Sequence, residues 1–505
     1  MRLLFLPTTL WSRVRRCASW IAVLLLLPVA VAQGQPQPDA ESQGQISTVV
    51  LPGLSPPSFM EPLRQRFFPT LPPFGNQRLL LVPFLSVGER YDDNIFLTPS
   101  MKENDFVTVP AGGVRLRYLP SRATFGSLDY RLGGEIFARH SDQNAVSQQG
   151  ELRFTSQLNP FLSFDVRDSF ISTTEPQQKF ISINQATGLR DISQQNRTRT
   201  TSNSVAGAVE ARVTDRVIAD LIFEHFLDHV GISQELDETR YSIGTEVGYL
   251  TDIARRSKAY ISYLATFHTF DENAPTTGSS ATPVGRSGNF HVHTMLAGWR
   301  HALSPKLSGE AALGYAITQS SNPTEDNLGT IAARLNVTQL LRDGQASFGY
   351  SRGFISGGGL GGVVREDALI ATFFWKVTPK VTTIFASRFA LYDFLGAPVL
   401  GNAEARSFLT LRPGLAYQIF PLMNVALYYA YETTDFKRPN PRVDDQKVTL
   451  ISQLALRERL FLSLTYDYSL RHLKGSTSTV NTLSLQDFSR NQVLLLLTYA
   501  PAFRF

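Results

Sequence analysis

Charged side chains recur at every second position in many segments of this chain, and they are the residues best placed to do chemistry. Guanidinium and carboxylate groups on one strand face can bind polar solutes or pair with one another. Two interpretations stay open: a mixed-charge wall that attracts polar solutes without strong selection by sign, or ion pairs that only keep the wall hydrated. The candidates for lining such a wall are Arg115, Arg117, Asp129, Arg131, Glu135, Arg139, Asp165, Arg167, Glu210, Arg212, Asp220, Glu224, Arg334 and Asp467.

Motifs for catalysis, cofactor binding or metal binding are weak. Gly357, Gly359 and Gly362 match G-x-G-x-x-G, but neither a helical pattern nor a suitably spaced acidic residue follows, so a flexible loop is the better interpretation. His291 and His293 share a strand face and lack an identifiable third ligand. No convincing arrangement of a nucleophilic serine, a histidine and an orienting partner is identifiable in the sequence. We therefore expect no enzyme activity, no cofactor and no metal site.

Composition favours strands with one apolar face. Hydrophobic residues make up 43% and charged residues 18% of the 505 residues, with 34 Phe and 17 Tyr among the aromatics. The net charge of +5 is small, and both signs are interspersed along the chain. Because nucleic-acid-binding domains carry clustered basic residues, we expect no nucleic-acid partner.

The amino terminus has the pattern of a secretory signal peptide over residues 1–32. Arginines precede an apolar run from Trp20 to Leu27, and Ala30-Val31-Ala32 provides a cleavage site after Ala32. A membrane anchor is the alternative, but this run is shorter than the roughly 20 residues that a spanning helix needs. Cys17, the single cysteine, would be removed with the signal peptide.

Residues 33–79 form a proline-rich segment that we interpret as a periplasmic leader. Its prolines prevent regular helix or ladder pairing. Apolar residues such as Phe67, Phe68 and Phe74 leave open a role in docking on a partner or entering a lumen. The remaining residues, 80–505, show no internal domain boundary.

Alternation with a period of two dominates residues 80–505. Leu462, Leu464 and Tyr466 alternate with polar residues such as Ser463, and Val209 and Val247 belong to similar apolar faces. Many of these runs last about 10 to 14 residues, which is the length of a membrane-crossing strand rather than of a soluble one. We therefore expect the apolar faces to point outward into lipid.

The connections between these runs alternate between short turns and long polar loops. That asymmetry is typical of outer-membrane barrels, in which the turns are periplasmic and the loops extracellular. The sequence predicts an all-β fold: a single transmembrane antiparallel up-and-down barrel of about 20 strands, with 18 as the alternative. The longest connection, Ser172 to Thr201, would either fold into the mouth and narrow it or stay at the surface.

Two segments resemble known outer-membrane proteins. The last strand ends on Tyr499, Phe503 and Phe505, which is similar to the signal read by the barrel assembly machinery, although Pro501 departs from its usual pattern. The segment Tyr91-Asp92-Asp93-Asn94-Ile95-Phe96 resembles the opening of the β-barrel porin type 2 family, and the resemblance covers roughly residue 80 to the end.

That resemblance implies a channel without identifying its cargo, because members of the family often accompany exopolysaccharide or capsule export systems. The expected function is a porin-like channel that passes polar solutes or a surface polysaccharide. The alternative is a non-conducting structural barrel that docks partners. The expected location is the bacterial outer membrane, and the expected partners are outer-membrane lipid, the assembly machinery and polysaccharide-export components.

Overall fold

The computed structural model describes residues 78–121, 123–174, 199–230, 237–253, 257–270, 289–321, 327–356, 363–395, 405–436, 442–474 and 487–504. All of them belong to the unit Val50–Phe505. The signal peptide, the leader up to residue 77, residues 175–198 of the longest loop and Phe505 lie outside the described residues. In the described ranges, no helix has the length and apolar character needed to span a membrane.

These residues are almost entirely in β-strands. The strands are β1 (Leu79–Asp92), β2 (Asp105–Thr108), β3 (Ala111–Ser121), β4 (Thr124–Phe137), β5 (Ala145–Asn159), β6 (Leu162–Thr173), β7 (Thr200–Arg212), β8 (Val217–Val230), β9 (Glu238–Asp252), β10 (Ser257–Phe270), β11 (Phe290–Ser304), β12 (Leu307–Ser320), β13 (Leu328–Leu341), β14 (Gly344–Ser356), β15 (Val363–Lys376), β16 (Val381–Leu395), β17 (Ala405–Phe420), β18 (Met423–Phe436), β19 (Arg442–Arg457), β20 (Leu460–Lys474), β21 (Phe488–Tyr499) and β22 (Phe503–Arg504). A 3-10 turn at Ser141–Gln143 follows β4.

The strands form one closed antiparallel barrel. β2 and β3 both pair with β1 and with β4, so they are two parts of one strand interrupted at Val109 and Pro110. β22 likewise extends β21 along β1. Since β2 with β3, and β21 with β22, each count as one segment, the 22 strands of the sheet correspond to 20 membrane-crossing segments. The predicted all-β barrel of about 20 strands is confirmed. Closure pairs the described strands with one another, so their backbone groups are not left without hydrogen-bond partners in lipid.

Short turns at one end of the barrel have a common sequence signature. The hydroxyl groups of Thr214, Ser304 and Thr378 each accept a hydrogen bond of 3.0 Å from the backbone N–H three residues later. A hydroxyl at the first turn position replaces the missing ladder partner and holds the reversal. These turns fix the register of the hairpins β7–β8, β11–β12 and β15–β16. By the usual asymmetry of outer-membrane barrels, this is the periplasmic end.

The two faces of the wall differ because side chains alternate along each strand. On β9 the polar residues Glu238, Arg240 and Glu246 are buried, whereas Ile243 and Val247 are exposed. The cross-strand registers carry this alternation from strand to strand around the barrel. We call the face that contains Glu238, Arg240 and Glu246 the inward wall.

Candidate functional site

The inward wall of β3 to β6 is rich in arginine. Arg117 lies opposite Ser127, Ser127 opposite Arg153, and Arg153 opposite Arg167 in consecutive strand pairs. These pairings place Arg117, Arg153 and Arg167 in one row across four neighbouring strands, which we call the arginine row. Asp129 forms salt bridges with both Arg115 and Arg117, with N···O distances of 2.6 and 3.2 Å. Asp165 forms one with Arg167 at 2.8 Å.

Carboxylates dominate the next part of the wall. Glu210 lies opposite Asp220, and Asp220 lies opposite Glu246, so three acids form a carboxylate row across β7, β8 and β9. Lys258 on β10 reaches two of them, with its Nζ 2.9 Å from Asp220 Oδ2 and 2.8 Å from Glu246 Oε1. The like charges of Asp220 and Glu246 are therefore compensated by a shared buried cation.

A chain of ion pairs continues from the carboxylate row around the wall. Arg300 binds Glu246 at 2.8 Å and approaches Glu310 at 3.3 Å, and Arg334 lies 3.6 Å from Glu310. The Tyr260 hydroxyl donates to Glu310, and Arg300 lies over the Tyr260 ring. Charges of opposite sign alternate through this chain from β8 to β13, so it has little net charge.

Further ion pairs hold the extracellular half of the wall. They are Arg90–Glu135 at 2.7 Å, Arg240–Glu224 at 2.8 Å, Arg471–Asp445 at 2.7 Å, Arg412–Glu432 at 3.6 Å and the contact of Arg388 with Glu366. Each joins side chains that are largely buried. Because removing one partner would leave a buried charge unpaired, these pairs constrain how the strands that carry them pack.

The seam that closes the barrel uses the segment on which the family resemblance rests. The buried Asp92 carboxylate accepts hydrogen bonds from Arg490, Gln492 and the backbone N–H of Asn94. Next to it, Asp93 accepts 2.6 and 2.7 Å bonds from the backbone and side chain of Asn491. The first and last long strands are therefore joined by charge-assisted side-chain bonds as well as by the backbone ladder.

The structure brings together most of the charged residues expected from the sequence. Asp220 meets Lys258, and Arg334 meets Glu310 as described above, while Asp467 lies 3.5 Å from Lys447. Arg131 faces inward and is exposed, and Arg212 is exposed at the periplasmic end of β7. Arg139 lies beyond the end of β4, where it donates to Asn104 rather than joining the inward wall.

Sequence reasoning missed several residues of the inward wall. Those that belong to buried ion pairs include Arg90, Asp92, Arg240, Glu246, Lys258, Glu310, Glu366, Arg388, Asp445, Arg471 and Arg490. Their signal was available, because each has the same parity as neighbouring inward residues on its strand. Extending the period-two pattern to both ends of every strand would have identified their face, although not their partners.

Tyr499 and Phe503, two residues of the expected assembly signal, lie at the seam. Tyr499 is opposite both Leu85 of β1 and Leu460 of β20, and Phe503 is opposite Leu81. Both aromatic side chains are exposed. Phe505 lies outside the described residues, and the assembly role stays a prediction.

A cluster of ionisable groups holds two loops together at the extracellular rim. His140 Nδ1 lies 2.9 Å from Asp105 Oδ2, and His140 Nε2 lies 2.7 Å from Glu103 Oε2. The backbone N–H groups of Arg139 and His140 also donate to Asp105. Hydrogen bonds to Asp105 and then to Glu103 raise the pKa of His140 above its ordinary value of 6.5.

Metal ligands do not cluster in the described part of the chain. His291 and His293 have the same parity on β11 as the exposed Met295 and Trp299, on the outward face. His293 Nδ1 lies 2.8 Å from the Tyr263 hydroxyl, and Phe267 contacts His291 edge-on. This aromatic and histidine group is typical of the girdle at a membrane interface.

The outward face is a continuous band of apolar and aromatic side chains. Val247, Leu464 and Val209, which the alternation assigned to this face, are 55%, 46% and 36% exposed. A soluble protein rarely exposes so much apolar surface, whereas a closed barrel in lipid requires it. The chain is therefore a bacterial outer-membrane β-barrel.

Comparisons with known proteins give distant structural likenesses. Neither a family model nor a curated protein matches the sequence. The siderophore receptor PirA from Pseudomonas aeruginosa is 8% identical, with 84% of this chain and 80% of that chain covered and a TM-score of 0.41. The FrpB iron transporter from Neisseria meningitidis is 8% identical, with 84% and 83% covered and a TM-score of 0.45.

The ferric-catecholate import receptor Fiu from E. coli is 8% identical, with 85% of this chain and 82% of that chain covered and a TM-score of 0.42. At these values the likenesses do not identify a cargo. The assignment to the outer membrane rests on closure and on the apolar outward face.

Proposed function

We propose that this protein is an outer-membrane channel that passes polar solutes or a surface polysaccharide. One observation carries the proposal: a closed barrel of 20 crossings has charged groups of both signs on its inward wall. A barrel of this size encloses more space than its own side chains usually fill. Because charged walls keep water in such a space, they favour passage of hydrophilic cargo.

The resemblance of the opening segment to the β-barrel porin type 2 family favours an export conduit within this proposal. In that case the partners would be polysaccharide-export components, with the barrel assembly machinery acting earlier, during insertion. The proposal includes no catalytic step. Siderophore reception and iron transport are named for PirA and FrpB, and nothing in the described part of the inward wall singles out that cargo.

The test is conductance of the purified protein in planar lipid bilayers. Insertion should produce discrete current steps, and neutral sugars of increasing size should reduce the current until they no longer enter the lumen. Insertion is checked independently by heat-modifiable migration of protein recovered from the bilayer-forming lipid. Correctly inserted protein that gives no current steps would favour the non-conducting structural barrel.

A further inference from the structure

Cations outnumber carboxylates on the inward wall of β3 to β6. Arg115 and Arg117 share Asp129, at 2.6 and 3.2 Å. Arg167 and Arg153 share Asp165, at 2.8 and 3.5 Å. Arg131 and Glu151 add one charge of each sign to the same face. Asp129 and Asp165 are thus each shared by two guanidinium groups, while Glu135 of β4 is paired with Arg90 of β1. The excess positive charge lies in the arginine row.

Direct opposition of Arg153 and Arg167 makes this excess costly. The two are cross-strand partners on β5 and β6, and like charges in directly opposite positions destabilise a sheet. Arg153 Nε is 3.5 Å from Asp165 Oδ2 and makes no hydrogen bond, although that atom is buried. The side chains of Arg153 and Arg167 are 42% and 33% exposed, so each is partly accessible from the inward side of the wall.

Elsewhere on the inward wall, the deeply buried arginines are matched to carboxylates. Arg240 with Glu224, and Arg471 with Asp445, are buried on both sides of the pair. Lys258 likewise compensates the carboxylate row. The arginine row departs from this pattern in being both under-compensated and accessible.

We propose that the arginine row is a binding site for the oxyanion groups, carboxylate or phosphate, of a solute or polymer inside the barrel. Guanidinium groups bind such oxyanions through paired N–H donors, and neighbouring guanidiniums allow one anion to be held from two sides. From Arg117 on β3 to Arg167 on β6 the row spans about 15 Å of wall, at roughly 4.8 Å per strand. It can therefore contact more than one charged group of the same molecule.

This inference rests on the proposed channel function, because it assigns the chemical class of the cargo. Its test is isothermal titration of the purified full-length barrel in detergent at low ionic strength, where screening is weak. The probes are inorganic phosphate, the carboxylated oligosaccharide trigalacturonate and the neutral sugar maltotriose. Phosphate and trigalacturonate together distinguish a small anion from an acidic polymer.

The decisive variant is the double substitution Arg153→Gln with Arg167→Gln, which removes both positive charges and leaves shorter, polar side chains at the two positions. Because two charge-assisted contacts are removed, the Kd for the bound anion should rise about tenfold or more. The matched control is Arg365→Gln, which removes an arginine of similar exposure, 34%, that is paired with Asp393 on the outward face of β15 and β16. This control should leave the Kd unchanged, and both proteins should keep heat-modifiable migration.

Each outcome decides one claim. Equal anion binding by the wild type and the folded double variant would overturn the site, as would equal binding of maltotriose and trigalacturonate. Wild type that conducts but binds neither anion would also overturn it while leaving the channel intact. If the wild type binds the anion without conducting, and the double variant loses that binding, the site would be retained and the channel refuted.

Discussion

Asp92 and Arg490 show how much a single buried ion pair contributes to this wall. Their side chains are 0% and 1% exposed. Because water does not reach either side chain, loss of one partner leaves the other charge buried and without compensation. We expect Arg490→Gln to lower the free energy of unfolding by about 3 to 5 kcal/mol, measured by urea unfolding in detergent micelles.

Lys474 provides the matched control for this prediction. Its Nζ lies 2.9 Å from Asp444, but the Lys474 side chain is 57% exposed. Because water screens exposed pairs, Lys474→Gln should change stability by only about 0 to 1 kcal/mol. Similar losses in the two variants would show that the seam does not depend on the buried pair.

His140 makes the cluster that it forms with Asp105 and Glu103 at the extracellular rim, which we call the rim clamp, sensitive to pH. Its pKa in the folded protein is raised by Asp105 and Glu103, so the clamp's stabilising contribution is complete below the ordinary histidine pKa of 6.5. The contribution is lost as pH rises through the raised pKa of the folded state. We expect hydrogen exchange at residues 138–144, corrected for intrinsic rates, to gain protection as pH is lowered through this range.

The substitution His140→Gln should remove that pH dependence, because glutamine does not titrate. His291→Gln, which changes a histidine of the outward face, should leave it intact. If loop protection varies with pH in the same way with and without His140, another group controls the clamp.

At the scale of the strand, the sequence predicts which face each side chain lies on and where the turns occur, but not which residues lie opposite one another on neighbouring strands. The hydroxyl-bearing turns at Thr214, Ser304 and Thr378 and the alternation within each strand are local features. The opposition of Arg153 and Arg167 depends instead on how β5 and β6 align. Their register shifts between Gln157 and Asn159, and a one-residue change there would move every opposite pair. The arginine row was only partly predicted for this reason.

The two faces of β20 provide a test of the wall's orientation in lipid. Leu464 is exposed on the outward face, whereas Ser463 lies opposite Gln453 of β19 and Leu496 of β21 on the inward wall. Arg in place of Leu464 should destabilise the folded barrel by about 2 to 4 kcal/mol, since its charge would meet hydrocarbon. Ser463→Arg should have a much smaller effect.

Reversible urea unfolding in lipid vesicles would measure both substitutions against the wild type. A third variant, Leu464→Met, keeps the face apolar and should stay close to the wild type because its volume is similar. Equal destabilisation by Arg at the two positions would contradict the assignment of faces.

At the scale of the whole barrel, the even number of strands and the approximate size were predictable, but the contacts that close the barrel were not. An even strand count follows from counting alternating segments between turns. The bonds of Arg490 to Asp92 join residues 398 positions apart, and local patterns contain no information about such a distance. The Asp92-Asp93-Asn94 segment supported a resemblance, while its role in the seam appears only once β1 and β21 are paired.

Closure itself can be tested by cross-linking the first and last strands. Val87 of β1 lies directly opposite Leu497 of β21, and antiparallel partners have Cα separations of about 4.5 to 5.5 Å, within the range that a disulfide accepts. In a Cys17→Ser background, Val87→Cys with Leu497→Cys should therefore form an intramolecular disulfide under a membrane-permeant oxidant. The product should appear as a reducible band of altered mobility after denaturation.

Val87→Cys with Leu464→Cys is the control, because Leu464 lies on β20, beyond β21. If the control cross-links as readily as the seam pair, or the seam pair does not cross-link in inserted protein, the barrel does not close between β1 and β21.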